Sequence, residues 1–169
     1  MHKIIDYTLE EGSQTSEESQ RDGEYILTSL TYIGKNSENN SGIYLARTFE
    51  KAKRNNEKSG VTSALAINDN YFIQNLEGSR PAINEFLARV IDERPHLALQ
   101  VVCFEEIDER RWDGFLIKYL TSSAQDEEHT LSNFSAGADF NPYLMKRDQI
   151  TSFIEAIFEE QESQGEDDV

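Results

Sequence analysis

Apolar positions along the central part of the chain alternate between strand and helix spacing. The run YILTSLTYI, from Tyr25 to an expected end at Ile33, is dense in β-branched and aromatic residues and too short for a helix, which predicts a first strand. After the polar turn GKNSENNSG, residues Ile43, Leu45, Ala46, Phe49 and Ala52 fall at helical spacing with Ser41 placed as a cap, predicting a helix over 43–56. Gly60 suits a left-handed turn into VTSALAI, a second strand, and Asn68, Asp69 and Asn70 predict a tight turn into a third, YFIQNLE. Ser79 and Pro81 mark the next helix start, and Ile83, Phe86, Leu87, Val90 and Ile91 give it one apolar stripe before Pro95 stops it. Residues 97–104 predict a fourth strand, the charged EEIDER a connection, and WDGFLIKYL a fifth strand.

This order predicts an α+β fold, a ferredoxin-like β-α-β-β-α-β sandwich with an added fifth strand and helices on one face of an antiparallel-rich sheet. Residues 121–140 are polar and weakly patterned. Asn141 and Pro142 can then open a C-terminal helix whose apolar face is Ile150, Phe153, Ile154, Ile157 and Phe158. Such a stripe needs a partner surface: either it folds back on the bare face of the sheet, or it forms the seam of a homo-oligomer.

One polar residue breaks the pattern. Gln74 shares strand parity with Phe72 and Leu76 and so should point into the core, although taken alone a strand glutamine more often lies near water on a tilted edge strand. A buried primary amide without partners costs roughly 1–3 kcal/mol, so Gln74 should be bonded to something specific. Tyr32 at the end of the first strand, Asn55 and Asn56 at the end of the first helix, and Arg89 on the second accompany it. Taken singly these read as a core tyrosine, a helix-ending pair and a solvated arginine.

Charge narrows the function. The formal net charge is -16, but residues 1–24 carry seven acids against two bases and residues 155–169 seven acids and no base. Residues 25–154 hold 18 acids and 14 bases, with no basic stripe for a phosphate backbone, which argues against nucleic-acid binding. Cys103 is the only cysteine and sits in an apolar run, so no intramolecular disulfide exists and a reducing compartment fits. Neither a signal-peptide stretch nor a run of about 18 apolar residues occurs, which predicts a cytoplasmic protein away from membranes. His2, His96 and His129 are scattered, and no glycine-rich phosphate loop or metal-ligand cluster stands out, so no enzyme chemistry is expected. The expected organisation is a flexible acidic extension over 1–24, a domain over 25–120, a linker and amphipathic helix over 121–160, and an acidic tail over 161–169.

The strings LTSLTY, RNNEKSGVTSAL, FIQNLEG, the helix bearing Arg89, and RRWDGF together resemble the BLUF family of flavin-binding blue-light sensors over roughly residues 25–120. The resemblance implies that Gln74 hydrogen-bonds the flavin ring and that Tyr32 is its partner and photochemical electron donor. It implies that Asn56, with Asn55 beside it, holds the pyrimidine edge, that Arg89 lies on the flavin-binding side, and that the ring sits between the two helices. FAD is the implied cofactor, although FMN shares the ring that these residues would touch. After RR the family usually carries tryptophan and methionine where this chain has Phe115 and Ile117, so these two are the implied signal-relay positions, without the indole donor or the thioether. Ser63 and Gly34 also depart from the family pattern. The expected function is a blue-light photoreceptor signalling to a separate protein partner, with homo-oligomerisation expected; the alternative is a light-insensitive flavin-binding or protein-interaction module with impaired output.

Overall fold

The computed structural model describes residues 22–35, 42–68, 70–120 and 141–163, without the side chains of 42–50, 96 and 160–163. The expected flexible segment before Asp22, Ser41 and its turn, Asp69, most of the linker, the end of the acidic tail, His2, His129 and the side chain of His96 lie outside the described residues. The elements are β1 (Leu27–Lys35), α1 (Gly42–Ser59), β2 (Thr62–Ile67), β3 (Tyr71–Ser79), α2 (Arg80–Glu93), β4 (Gln100–Glu106), β5 (Phe115–Tyr119) and α3 (Arg147–Ser163). The strands form one sheet in the order β4-β1-β3-β2-β5. All pairings are antiparallel except β2 with β5. This is the expected ferredoxin-like α+β arrangement with its fifth strand at the edge beside β2.

Several boundaries move for physical reasons. Tyr25 is not in the first strand: residues 22–25 form a turn that needs the positive φ of Gly23 and is closed by Ile26 N–H donating to the Gly23 carbonyl at 3.0 Å. The fourth strand starts three residues late, because Pro95–Leu97 make a 3-10 turn and Ala98 adopts φ 49. The fifth strand excludes Trp112, which belongs to the connection before it. The last helix begins at Arg147, after a separate 3-10 turn over Pro142–Leu144, and Gln149 Oε1 accepts from Lys146 N–H at 2.8 Å in the manner of a capping box. Ser79 caps α2 by accepting from Ala82 N–H, and Gly60 turns left-handed at φ 68, both as their sequence contexts predict. Asn68 Oδ1 accepts from the N–H groups of Asn70 and Tyr71, fixing the entry to β3.

Both faces of the sheet are covered. On one, Leu30, Tyr32, Leu65, Ile67, Phe72 and Leu76 pack with Ala82, Ile83 and Phe86 of α2. Ile91 is 54% exposed and drops out of the predicted stripe, since α2 is ending where it falls. On the other face α3 folds back, and all five residues of its stripe are buried with Ile33, Ala64, Ala66, Ile73, Trp112 and Leu120. The approach to α3 is tied to the sheet: Tyr143 O–H donates to the Ala98 carbonyl at 2.6 Å, and Asn141 Nδ2 donates to the Tyr71 hydroxyl at 3.2 Å.

Candidate functional site

Strand pairing places Tyr32 of β1 directly opposite Gln74 of β3, on the face covered by α2. Both are buried, and the Tyr32 hydroxyl donates to Gln74 Oε1. The Tyr32 ring meets Phe72 edge-on, centroids 5.9 Å apart at 85°, and Phe86 at 6.2 Å. Phe72 in turn lies over Gly34, where a Cβ would collide with its ring. That contact accounts for a glycine at this position.

Burial pushes the Tyr32 phenol well above its ordinary value, and the Arg94 guanidinium at the end of α2 offsets only part of this. The hydroxyl therefore stays protonated and available as a donor. Because the folded value lies above the unfolded one, the stabilisation linked to neutral Tyr32 is complete below about pH 10 and is lost as pH rises toward the folded value. Thermal denaturation across the alkaline range should show this decline, and Tyr32→Phe should flatten it.

Asn56 is buried at the end of α1, and its Nδ2 has no partner among the described residues. Its backbone is fixed: the Asn56 carbonyl accepts from Val61 N–H at 2.8 Å and from Ser59 Oγ at 3.2 Å. Asn55 and Arg89 are exposed. The structure thus joins Tyr32 to Gln74, buries Asn56 with an unused donor, and leaves Asn55 and Arg89 at the surface. Arg94, which the sequence did not single out, is the cation whose field reaches the phenol. Phe115 is partly buried against the same apolar cluster, whereas Ile117 is 42% exposed; they stand opposite Ser63 and Leu65 of β2. The hydroxyls of Ser63 and Thr28 are likewise buried without a partner among the described residues.

Behind this pair lies a second polar network. Asn75 and Glu77 alternate with Gln74 and point to the face covered by α3. Asn75 Nδ2 donates to Ser29 Oγ at 2.9 Å and to Thr31 Oγ1 at 2.8 Å, while its Oδ1 accepts from Trp112 Nε1–H at 2.8 Å. The fully buried Glu77 carboxylate accepts from the Arg111 backbone N–H at 2.8 Å, from Arg111 Nε at 3.0 Å and from Trp112 N–H at 3.3 Å. Arg111 Nη1 reaches Glu155 of α3 at 2.9 Å, and the Trp112 ring packs edge-on against Phe158 at 5.8 Å. Sequence reasoning missed this network. The available signals were the pair Arg110–Arg111 beside a lone tryptophan and an acid on a strand otherwise suited to burial.

Among the described residues no group of His, Cys, Asp and Glu is placed to hold a metal ion, and no helix is long and apolar enough to cross a membrane. Residues 27–118 match the family described as BLUF, sensors of blue-light using FAD. The chain is 32% identical over 88 residues to the photoactivated adenylate cyclase subunit alpha of Euglena gracilis, covering 52% of this chain and 9% of that protein. It is 28% identical over 105 residues to subunit beta of the same organism, covering 62% and 12%. The chain thus spans about a tenth of the length of these curated relatives. Among solved structures, the dark state of BlrB, a BLUF protein, shares the fold with a TM-score of 0.63 at 20% identity, over 78% of this chain and 95% of that one. The photo-activated state of BlsA gives 0.60 at 25% identity, over 76% and 91%.

Proposed function

Because the chain belongs to the BLUF family of flavin-binding blue-light sensors, we propose that it is a photoreceptor in which Tyr32 and Gln74 carry the photochemistry and a separate protein takes the signal. The observation that carries this reading is the buried hydrogen bond from Tyr32 to Gln74. A phenol can lose an electron and a proton together, and an amide offers a donor end and an acceptor end. The flavin, when bound, supplies the blue absorption and a photoexcited electron acceptor. Tyr32 holds its proton at the hydroxyl, already aimed at Gln74 Oε1. Rotation or tautomerisation of the Gln74 amide then exchanges what it presents, without stranding a charge in the core.

The remaining residues fit a flavin. The unpartnered Nδ2 of Asn56 is a buried donor suited to a carbonyl of the pyrimidine edge, and leaving it unmatched would cost about 1–3 kcal/mol. Asn55, exposed beside Asn56, is assigned with it to the pyrimidine edge and Arg89 to the outer parts of the ligand, while Phe115 and Ile117 occupy the fifth-strand positions where the family pattern carries tryptophan and methionine. Residues 25–120 form the flavin-binding unit in this reading. FAD is the inferred cofactor, in keeping with the family's description; one similar structure, that of BlrP1 of Klebsiella pneumoniae, is with FMN, and the ring contacts named here serve either. The domain acts as a sensor rather than a catalyst. Its output passes to a downstream protein partner in the cytoplasm, for which exposed Val101 and Phe104 on the edge strand β4 offer an apolar surface. Homo-oligomerisation would have to use a surface other than the α3 stripe, which is already buried within the chain.

The test is the absorption spectrum of the flavin-loaded protein before and after blue light. A reversible red shift should appear in the native chain and vanish in Tyr32→Phe and Gln74→Leu, with flavin still bound in both. Flavin bound without a shift in the native chain identifies the light-insensitive module instead. The lack of a hydrogen-bonding group at Phe115 and Ile117 is the feature that favours that second reading.

A further inference from the structure

We propose that the change at Gln74 reaches the C-terminal helix through the back of β3, by way of Asn75 and Trp112, and not along the β5 positions Phe115 and Ile117. The inference rests on the photoreceptor reading. At one place in the sheet, β1 and β3 are bonded side chain to side chain on both faces. Tyr32 stands opposite Gln74 and bonds to it in front, and Thr31 stands opposite Asn75 and bonds to it behind. Consecutive strand residues point to opposite faces, so rewiring the front pair loads the same stretch of backbone that positions the back pair. At this same point the ladder on the other side of β1 is interrupted, since the pairing of β1 with β4 shifts register between Thr31 and Tyr32.

From Asn75 the path is continuous. Its Oδ1 holds the Trp112 indole N–H, and the Trp112 ring packs on Phe158 of α3. Next to it, Arg111 joins Glu77 of β3 to Glu155 of α3. Asn75 and Trp112 are 1% and 5% exposed, so water does not readily replace a bond that either one loses. The β5 route lacks these means: Phe115 and Ile117 have no hydrogen-bonding side chain, and Ile117 is half in solvent. Trp112 is in this account a positioning residue, coupling a hydrogen-bond change at the strand to the seat of the helix.

The chain has a single tryptophan, so its indole N–H gives one nuclear magnetic resonance signal that reports this bond. In the flavin-loaded full chain, blue light should shift that signal reversibly, and Gln74→Leu should abolish the light effect. Trp112→Phe keeps a ring against Phe158 but removes the donor. It should retain the flavin red shift while losing the light-dependent change in hydrogen exchange over residues 147–163. A native protein with a normal red shift and an unmoved indole signal would overturn the relay, as would an undiminished helix response in Trp112→Phe. The indole measurement needs no variant to fold. Absence of any red shift in the native chain would sink the photoreceptor reading and the relay with it, an outcome distinct from the other two.

Discussion

Phe153→Ala will lower the stability of the chain by about 3–5 kcal/mol, read as a shift of the denaturant midpoint at unchanged slope. Phe153 is fully buried in the middle of the α3 stripe, between the helix and strands β2 and β3. Removing its ring deletes transfer energy and leaves a cavity in a layer with few ways to collapse, since Ala64 and Ala66 opposite are already small. Leu144, which is 82% exposed a few residues earlier, supplies the control: Leu144→Ala should change stability by less than about 0.5 kcal/mol. Equal and small effects at both positions would mean that α3 does not cover the sheet in solution.

The second large effect falls on Arg111. Glu77 is a carboxylate with no exposure to water, and Arg111 supplies it with both a side-chain and a backbone donor. Arg111→Leu removes the guanidinium and strands the charge. Breaking a buried pair from one side typically costs about 3–5 kcal/mol, and the two backbone donors that remain on Glu77 should hold the loss near 2–3 kcal/mol. The double variant Glu77→Leu with Arg111→Leu should lose less than the sum of the two single losses, because no buried charge is then left unpaired, although the Arg111 and Trp112 N–H groups lose their acceptor whenever Glu77 is replaced. A double-mutant cycle by chemical denaturation measures this directly. Simple additivity of the two single losses would show that the pair is not coupled.

Strand parity was enough to find Gln74, because Phe72 and Leu76 on either side declare an apolar face. The same parity misleads one residue later. Asn75 and Glu77 fall on the opposite parity, of which the strand's own pattern says only that it is polar, and they are buried beneath Arg111 and Trp112, which α3 backs in turn. A strand's own pattern reports that a face is polar, not that a distant helix will enclose it. The stripe on that helix was legible, and folding back was one of the two partners it allowed. What it would enclose was not. Pairing across the sheet was hidden for a similar reason: the contact of Tyr32 with Gln74 depends on the β1–β3 register, which follows from the whole fold. Local punctuation was read more securely. Gly60, Ser79 and Pro81 act where they stand, whereas Tyr25, Ile91 and Trp112 were misplaced at element ends, where an apolar residue can belong to either side of a boundary.

In the proposed photoreceptor, light rearranges the amide of Gln74 against Tyr32. A light-minus-dark infrared difference spectrum of flavin-loaded protein carrying isotope in its glutamine side-chain carbonyls tests it most directly. A reversible difference band that moves with the label and is absent in Tyr32→Phe is the expected result. A spectrum with flavin bands alone, unaffected by the label, would contradict it.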